Sequence, residues 1–336
     1  SPSMPTASKR KKKASSKKAA AKRSSGKKAA RKKATRRSPR KGRAPRNNWH
    51  FGPKGADADA GMKQVVGGKG ANLAEMCRIG LPVPPGFTIA ATVCPRYYES
   101  GKRLPKDVAA DLRKSIARLE KETGKRFGDP GRPLLVSVRS GAAISMPGMM
   151  DTVLNLGLND EAMEGLAALT GNRRFALDAR RRFIQMFANV VEGFDHGRFE
   201  AILEHEQAVA GVESDSDMDE AALEKVVKRY LKLYQKLARR PFPDDPLEQL
   251  ERSVCAVFGS WNGNRAVEYR RIHKIEDLVG TAVNVQSMVF GNLGPTSGTG
   301  VCFTRDPSTG EDVFYGEYLM NAQGEDVVAG IRTPQD

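Results

Sequence analysis

The chain has 336 residues, with 56 Lys and Arg against 39 Asp and Glu and a formal charge of +17. Twenty of the basic residues and none of the acids lie in residues 1–50, which leaves 36 basic against 39 acidic residues, a net charge of −3, beyond them. The basicity therefore belongs to an appended tail, and a folded basic domain is excluded as its source.

Residues 1–47 are almost wholly Lys, Arg, Ala, Ser and Pro, with no apolar period. Such a segment cannot bury enough surface to offset chain entropy, so residues 1–50 are expected to be a disordered tail. Composition changes near Trp49-His50-Phe51, and residues 51–336 are read as the folded body. No apolar stretch approaches the roughly 18 residues that span a bilayer, and no apolar leader precedes the body. The four cysteines (Cys77, Cys94, Cys255, Cys302) lack CxxC spacing, and the four histidines (His50, His196, His205, His273) lack metal-ligand spacing. The expectation is free thiols in a reducing, cytoplasmic setting, without a membrane span. Organelle targeting by the tail is the alternative. The lack of acids fits it, and the lysine runs do not.

Along the body, Met62–Met76 runs from an apolar stretch into a glycine-rich turn and then a helix. Leu81–Thr92 has an extended proline approach and a short buried strand at FTIA. Residues 106–122 read as an amphipathic helix. LLVSVRS (134–140) reads as a strand ending in arginine, followed by a Gly/Ser/Met loop and a strand near 151–154. Residues 160–258 are expected to be mainly helical, with apolar positions at i, i+3, i+4 and i+7 and the basic faces in solvent. Pro241, Pro243 and Pro246 break this block. From Gly280 the pattern turns to strands separated by glycine turns. The fold class is therefore α+β.

Gly67-Gly68-Lys69-Gly70 places a lysine in a turn before a helix, where backbone N–H groups and an ammonium suit an anion. It is not a Walker A loop, because Gly70 stands where Ser or Thr is required. A plain glycine turn is the competing reading. Arg139 at a buried strand end calls for an ion pair or a ligand, since an isolated buried charge is costly, and arginine suits phosphate. The loop Ser145–Asp151 holds three methionines and reads as a cover over a site. Asp306, Glu311, Glu317, Gln323 and Glu325 concentrate acid and amide groups near the C-terminus. Nucleotide enzymes hold Mg²⁺ through such carboxylates together with substrate phosphates. Glu311 and Asp312 read as solvated turn residues.

Together GGKGANLAEM (67–76), LPVPPGFTI (81–89), LLVSVRSGAAISMPGMMDTVLNLGLND (134–160), SWNGNRAVEYRRI (260–272), VNVQSMVFGN (283–292) and GEYLMNAQGEDVVAGIRTPQ (316–335) resemble the pyruvate, phosphate dikinase family, in its N-terminal nucleotide-binding domain. Phosphoenolpyruvate synthases share the lysine turn and a similar strand end, but differ in the loop that follows. The resemblance implies an ATP-grasp-like fold over residues 51–336, with a helical subregion at about 160–258 and with ATP and Mg²⁺ in the cleft. It implies that Lys69 and Arg139 meet the ATP phosphates and that the strand around Gln286 and Met288 meets adenine. Glu325 would hold nucleotide and metal, with Glu317, Gln323 and Asp306 as companions, and Arg332 would be a further phosphate contact.

The family's reaction interconverts ATP, phosphate and pyruvate with AMP, diphosphate and phosphoenolpyruvate. It uses a phosphohistidine and a pyruvate/phosphoenolpyruvate-binding barrel. No phosphohistidine motif occurs in these residues, so both parts are expected on other domains. The rival class is a nucleic-acid-associated protein acting through its tail by salt-sensitive, sequence-blind phosphate contacts.

Overall fold

The computed structural model describes residues 46–328. The tail up to residue 45 and Arg332 lie outside the described residues, as do the side chains of Glu325 and Val328. The first strand, β1 (Asn48–Gly52), begins inside the segment assigned to the tail. Its start is fixed by polar anchoring that composition does not show. Asn48 Nδ2 donates to Ser115 Oγ at 2.8 Å, and Asn47 Nδ2 donates to Asp111 Oδ2 at 2.9 Å.

After the short β2 (Gly55–Ala56), helix α1 (Lys63–Arg78) begins earlier than the glycine turn suggests and is interrupted by it. Gly67 sits at φ 72°, ψ 170° and kinks the helix. Strand β3 (Gly86–Ile89) is buried throughout, as FTIA implies. Helix α2 (Val93–Glu99) precedes α3 (Lys106–Thr123), which buries Val108, Leu112, Ile116 and Leu119 along one stripe and ends at left-handed Gly124.

A short parallel pair, β4 (Arg126–Phe127) and β5 (Pro133–Leu134), leads into β6 (Val136–Gly141) and β7 (Thr152–Leu156). With β8 (Ala282–Ser287) these strands complete a six-stranded antiparallel sheet in the order β2-β1-β3-β8-β6-β7. Alternation along β8 sorts its faces. Val283 and Val285 join Val136, Val138, Phe87 and Ile89 in the main core. Asn284 and Gln286 fall on the opposite face, which α1 covers with Val66, Ala71 and Ala74.

The helical middle is present as α4 (Asp160–Thr170), α5 (Arg173–Val190), α6 (His196–Ala210), α7 (Glu220–Ala238) and α8 (Pro246–Ser260). Asn159, Asn172, Asp195, Asp219 and Asp245 cap them through side-chain oxygens, and Pro246 opens α8 where its missing N–H costs nothing. Phe183, Phe187, Tyr234 and Phe242 meet edge-on in the core. Burial of each such ring contributes about 1.5–3 kcal/mol.

The basic face of α5 is not all solvated. Arg180 and Arg181 are 2% and 3% exposed, because Asp160 and Asp178 neutralise them inside the protein. Among the described residues no helix is long and apolar enough to cross a membrane.

Helix α9 (Asn264–Ile272) returns the chain to β8. Beyond β8, strands β9 (Gly298–Phe303) and β10 (Tyr315–Met320) form a separate hairpin, followed by the short helix α10 (Gly324–Val328).

Candidate functional site

The glycines of the α1 kink explain how a helix approaches the end of β6. A Cβ on Gly67 would stand 1.7 Å from the Gly141 carbonyl oxygen, and the Gly68 N–H donates to the Ala142 carbonyl at 2.9 Å. Gly70 lies against Thr88, where a Cβ would meet Oγ1 at 2.8 Å. The sequence GGKG is therefore a packing device as well as a turn. Backbone meets backbone, and Lys69 is carried beside the strand that bears Arg139.

Lys69 and Arg139 are both exposed side chains, and they sense each other. The Lys69 ammonium is held below the ordinary lysine value, first by partial burial and then by repulsion from the Arg139 guanidinium. No carboxylate among the described residues pairs with Lys69. Arg139 stands opposite Asn284 on β8 and opposite Thr152 on β7, and Asn284 stands opposite Thr88 on β3. Opposed residues of antiparallel strands share a face, so one polar row runs under the cations. In that row Thr88 Oγ1 donates to Asn284 Oδ1 at 2.7 Å, while the Asn284 amide nitrogen is buried without a hydrogen-bond partner. The V-N-V-Q alternation of β8 is the sequence signal that marks this row.

The loop after β6 is tied down. Met146 is 5% exposed and packs in the core, with Met149 and Met150 against it, so these methionines are filler and anchor and not a detached cover. Arg265 of α9 pairs with Asp151 at 3.2 Å and donates to the Gly148 carbonyl at 3.3 Å. Burial pushes the Asp151 carboxyl up, and Arg265 opposes that shift. Arg265 thus has a task that the sequence alone did not suggest.

Gln286 and Met288 are half-buried at the exit of β8. Gln286 Nε2 donates to the Pro84 carbonyl at 3.0 Å, and Met288 Sδ accepts the Asn155 N–H at 3.2 Å. Both side chains are therefore engaged in holding this strand in the sheet.

The C-terminal group is only partly convergent. Glu317 on β10 accepts from the Tyr315 hydroxyl at 3.1 Å. Gln323 Oε1 accepts the Gly291 N–H at 3.3 Å, and Glu325 lies on α10. Asp306 accepts the N–H groups of Ser308 and Thr309 at 2.7 and 3.0 Å, a turn-capping task within the hairpin loop. Glu311 and Asp312 are exposed, as expected of solvated turn residues. Among the described residues no group of three or more His, Cys, Asp or Glu is placed to hold a metal ion. A cavity of about 740 Å³ between α5 and α6, lined by Arg181, Arg182, Gln185, His196 and Asp215, contains neither Lys69 nor Arg139.

The sequence matches the family described as pyruvate phosphate dikinase, AMP/ATP-binding domain, over residues 63–110 and 102–336. It is 56% identical over 288 residues to pyruvate, phosphate dikinase 1, chloroplastic, of Oryza sativa subsp. japonica, covering 86% of this chain and 30% of that one. It is 54% identical over 295 residues to pyruvate, phosphate dikinase 2 of Zea mays, covering 88% and 33%. Against pyruvate, phosphate dikinase of Rhizobium meliloti (strain 1021) the identity is 55% over 286 residues, covering 85% and 32%. The chain belongs to the pyruvate phosphate dikinase AMP/ATP-binding domain family. It spans about a third of the length of these curated relatives. None of these matches supports the nucleic-acid reading of the tail.

Proposed function

We propose that this chain is the ATP-binding portion of a pyruvate, phosphate dikinase and that it holds the nucleotide triphosphate over the α1 kink. The observation that carries the reading is the convergence of Lys69 and Arg139. The kink packs Gly67 and Gly68 against Gly141 and Ala142 and so carries Lys69 to the strand of Arg139. No carboxylate among the described residues pairs with Lys69, Arg139 disfavours its ammonium, and a polyphosphate would offset that repulsion.

The kink supports the same reading, since the helix restarts after Gly67 and the positive end of a helix suits an anion. In this reading the fold is ATP-grasp-like. The six-stranded sheet with α1 is one jaw, and the β9–β10 hairpin with α10 is the other. The strand exit at Gln286 and Met288 lies along adenine, with Glu317, Gln323, Glu325 and Arg332 completing the site.

Mg²⁺ fits the donor set in the form bridged by phosphates, which needs only one or two protein carboxylates. Glu325 and Asp306 would hold it, Asp306 through Oδ2, since Oδ1 accepts the N–H groups of Ser308 and Thr309. The ion would supply neutralisation of the β- and γ-phosphates. This chain's own residues orient the triphosphate and hold its negative charge. Transfer to a phosphohistidine, and onward between pyruvate and phosphoenolpyruvate, belongs to the remaining two thirds of such a protein.

A calorimetric titration with Mg·ATP tests the site. Binding to the chain should weaken roughly 10- to 100-fold in Lys69→Ala, the effect of losing a hydrogen bond to a charged group. Absence of binding to the wild-type chain, or equal binding by the variant, would overturn the assignment.

A further inference from the structure

Asp326 lies on α10 and is buried, and its carboxylate is divided between two tasks. Oδ2 accepts the backbone N–H of Gln323 at 2.9 Å, closing the turn that starts the helix. Oδ1 lies 3.3 Å from Nη1 of Arg182, which belongs to α5 in the helical middle. Arg182 is not a freely swinging side chain. Its Nε binds Asp178 Oδ2 at 2.9 Å, and its Nη2 reaches Asp215 Oδ2 at 3.3 Å. Asp178 is fixed in turn by the buried Arg181. A run of charges thus crosses from the helical core to the short helix beyond the hairpin. Among the described residues, the apolar cluster at α10 is small, made of Leu319, Ala322 and Val327.

We infer that Arg182 and Asp326 are positioning residues for the nucleotide site: their ion pair sets where α10 sits, and so where Gln323 and Glu325 are presented to ATP. This rests on the proposed role of Gln323 and Glu325. The physical argument is that a partly buried pair tied at both ends has one satisfied geometry, whereas apolar packing over so small a cluster tolerates several. Gln323 is drawn into the same arrangement through its backbone to Asp326 and its side chain to Gly291.

The test is a calorimetric titration of the chain with Mg·ATP, comparing wild type, Asp326→Asn, Arg182→Met, the double variant and Arg182→Lys, with Lys69→Ala in the same series. Each single removal should weaken ATP about tenfold. The double variant should bind no more weakly than either single, and Arg182→Lys should recover part of the loss. Amide hydrogen exchange over residues 321–328 should quicken in Asp326→Asn, and this reads the same claim if Arg182→Met does not fold. Wild-type ATP affinity and wild-type exchange in a folded Asp326→Asn, with binding lost in Lys69→Ala, would overturn the positioning role alone. Wild-type affinity in both Asp326→Asn and Lys69→Ala would instead overturn the reading of the site from which the inference starts.

Discussion

Lys69 is carried beside the strand that bears Arg139 by residues that carry no charge. Gly67 has a positive φ, and a Cβ there would penetrate the Gly141 carbonyl, so only glycine lets α1 bend onto the end of β6. Gly67→Ala should therefore lower unfolding stability by about 2 kcal/mol or more, read as a urea midpoint shift, and should weaken ATP binding as well. A loss confined to a few tenths of a kcal/mol would show that the kink relaxes cheaply. His50 makes a different prediction. Burial and Arg118 lower its imidazole to about 4 from 6.5, so the folded state prefers it neutral. Stability from this group is complete above about pH 6.5 and is lost as pH falls towards 4, because the unfolded chain then binds the extra proton. Urea midpoints measured across that range should fall with pH, with a shallower slope in His50→Gln; an unchanged slope would remove His50 from the account.

At the level of elements, β3, α3, β6, β7, the helical middle and β8 follow from apolar period, which reports burial directly, whereas β9 and β10 are mostly exposed or half-buried and follow from strand-forming residues between glycine turns. These elements were legible. Three features were not, each because a long-range partner overrides the local pattern. Asn47 and Asn48 look like tail residues until α3 supplies Asp111 and Ser115. The methionines of the 145–151 loop look like a cover until the core fills beneath them. Arg180 and Arg181 look solvated because an arginine in RRFALDARRRF is expected outside. Asp178 draws Arg181 inward, and it is itself an unusual acid. Burial alone would raise its carboxyl, yet Arg181 and Arg182 outweigh that and hold it below the ordinary carboxylate range. Its contribution to stability is present above about pH 4 and is lost as pH falls below that. Asp178→Asn removes the buried carboxylate that Arg181 and Arg182 share and leaves them Asp215, with Asp326 on Arg182, so it should cost up to about 3 kcal/mol in chemical denaturation, the low end for breaking a buried pair. A near-neutral effect would mean that Asp215 suffices alone.

For the whole molecule, the sequence marked Lys69 and Arg139 as candidate anion contacts, with a plain glycine turn and a structural ion pair as the rival readings, and the fold carries Lys69 beside the strand that bears Arg139. The polar row of Thr88 and Asn284 beneath them, and the tie from Arg182 to Asp326, depend on strand register and helix placement, which no local motif encodes. Family membership points to an adenine nucleotide as the ligand, and in the proposed reading its phosphates meet Lys69 and Arg139. The most direct measurement compares ATP with adenosine on the wild-type chain and on Lys69→Ala, by calorimetry with Mg²⁺ present. ATP should bind the wild type more tightly than adenosine. The substitution should shrink that gap by roughly 10- to 100-fold while leaving adenosine affinity unchanged. An equal gap in both proteins, or a loss falling equally on adenosine, would contradict the claim that Lys69 meets the phosphates.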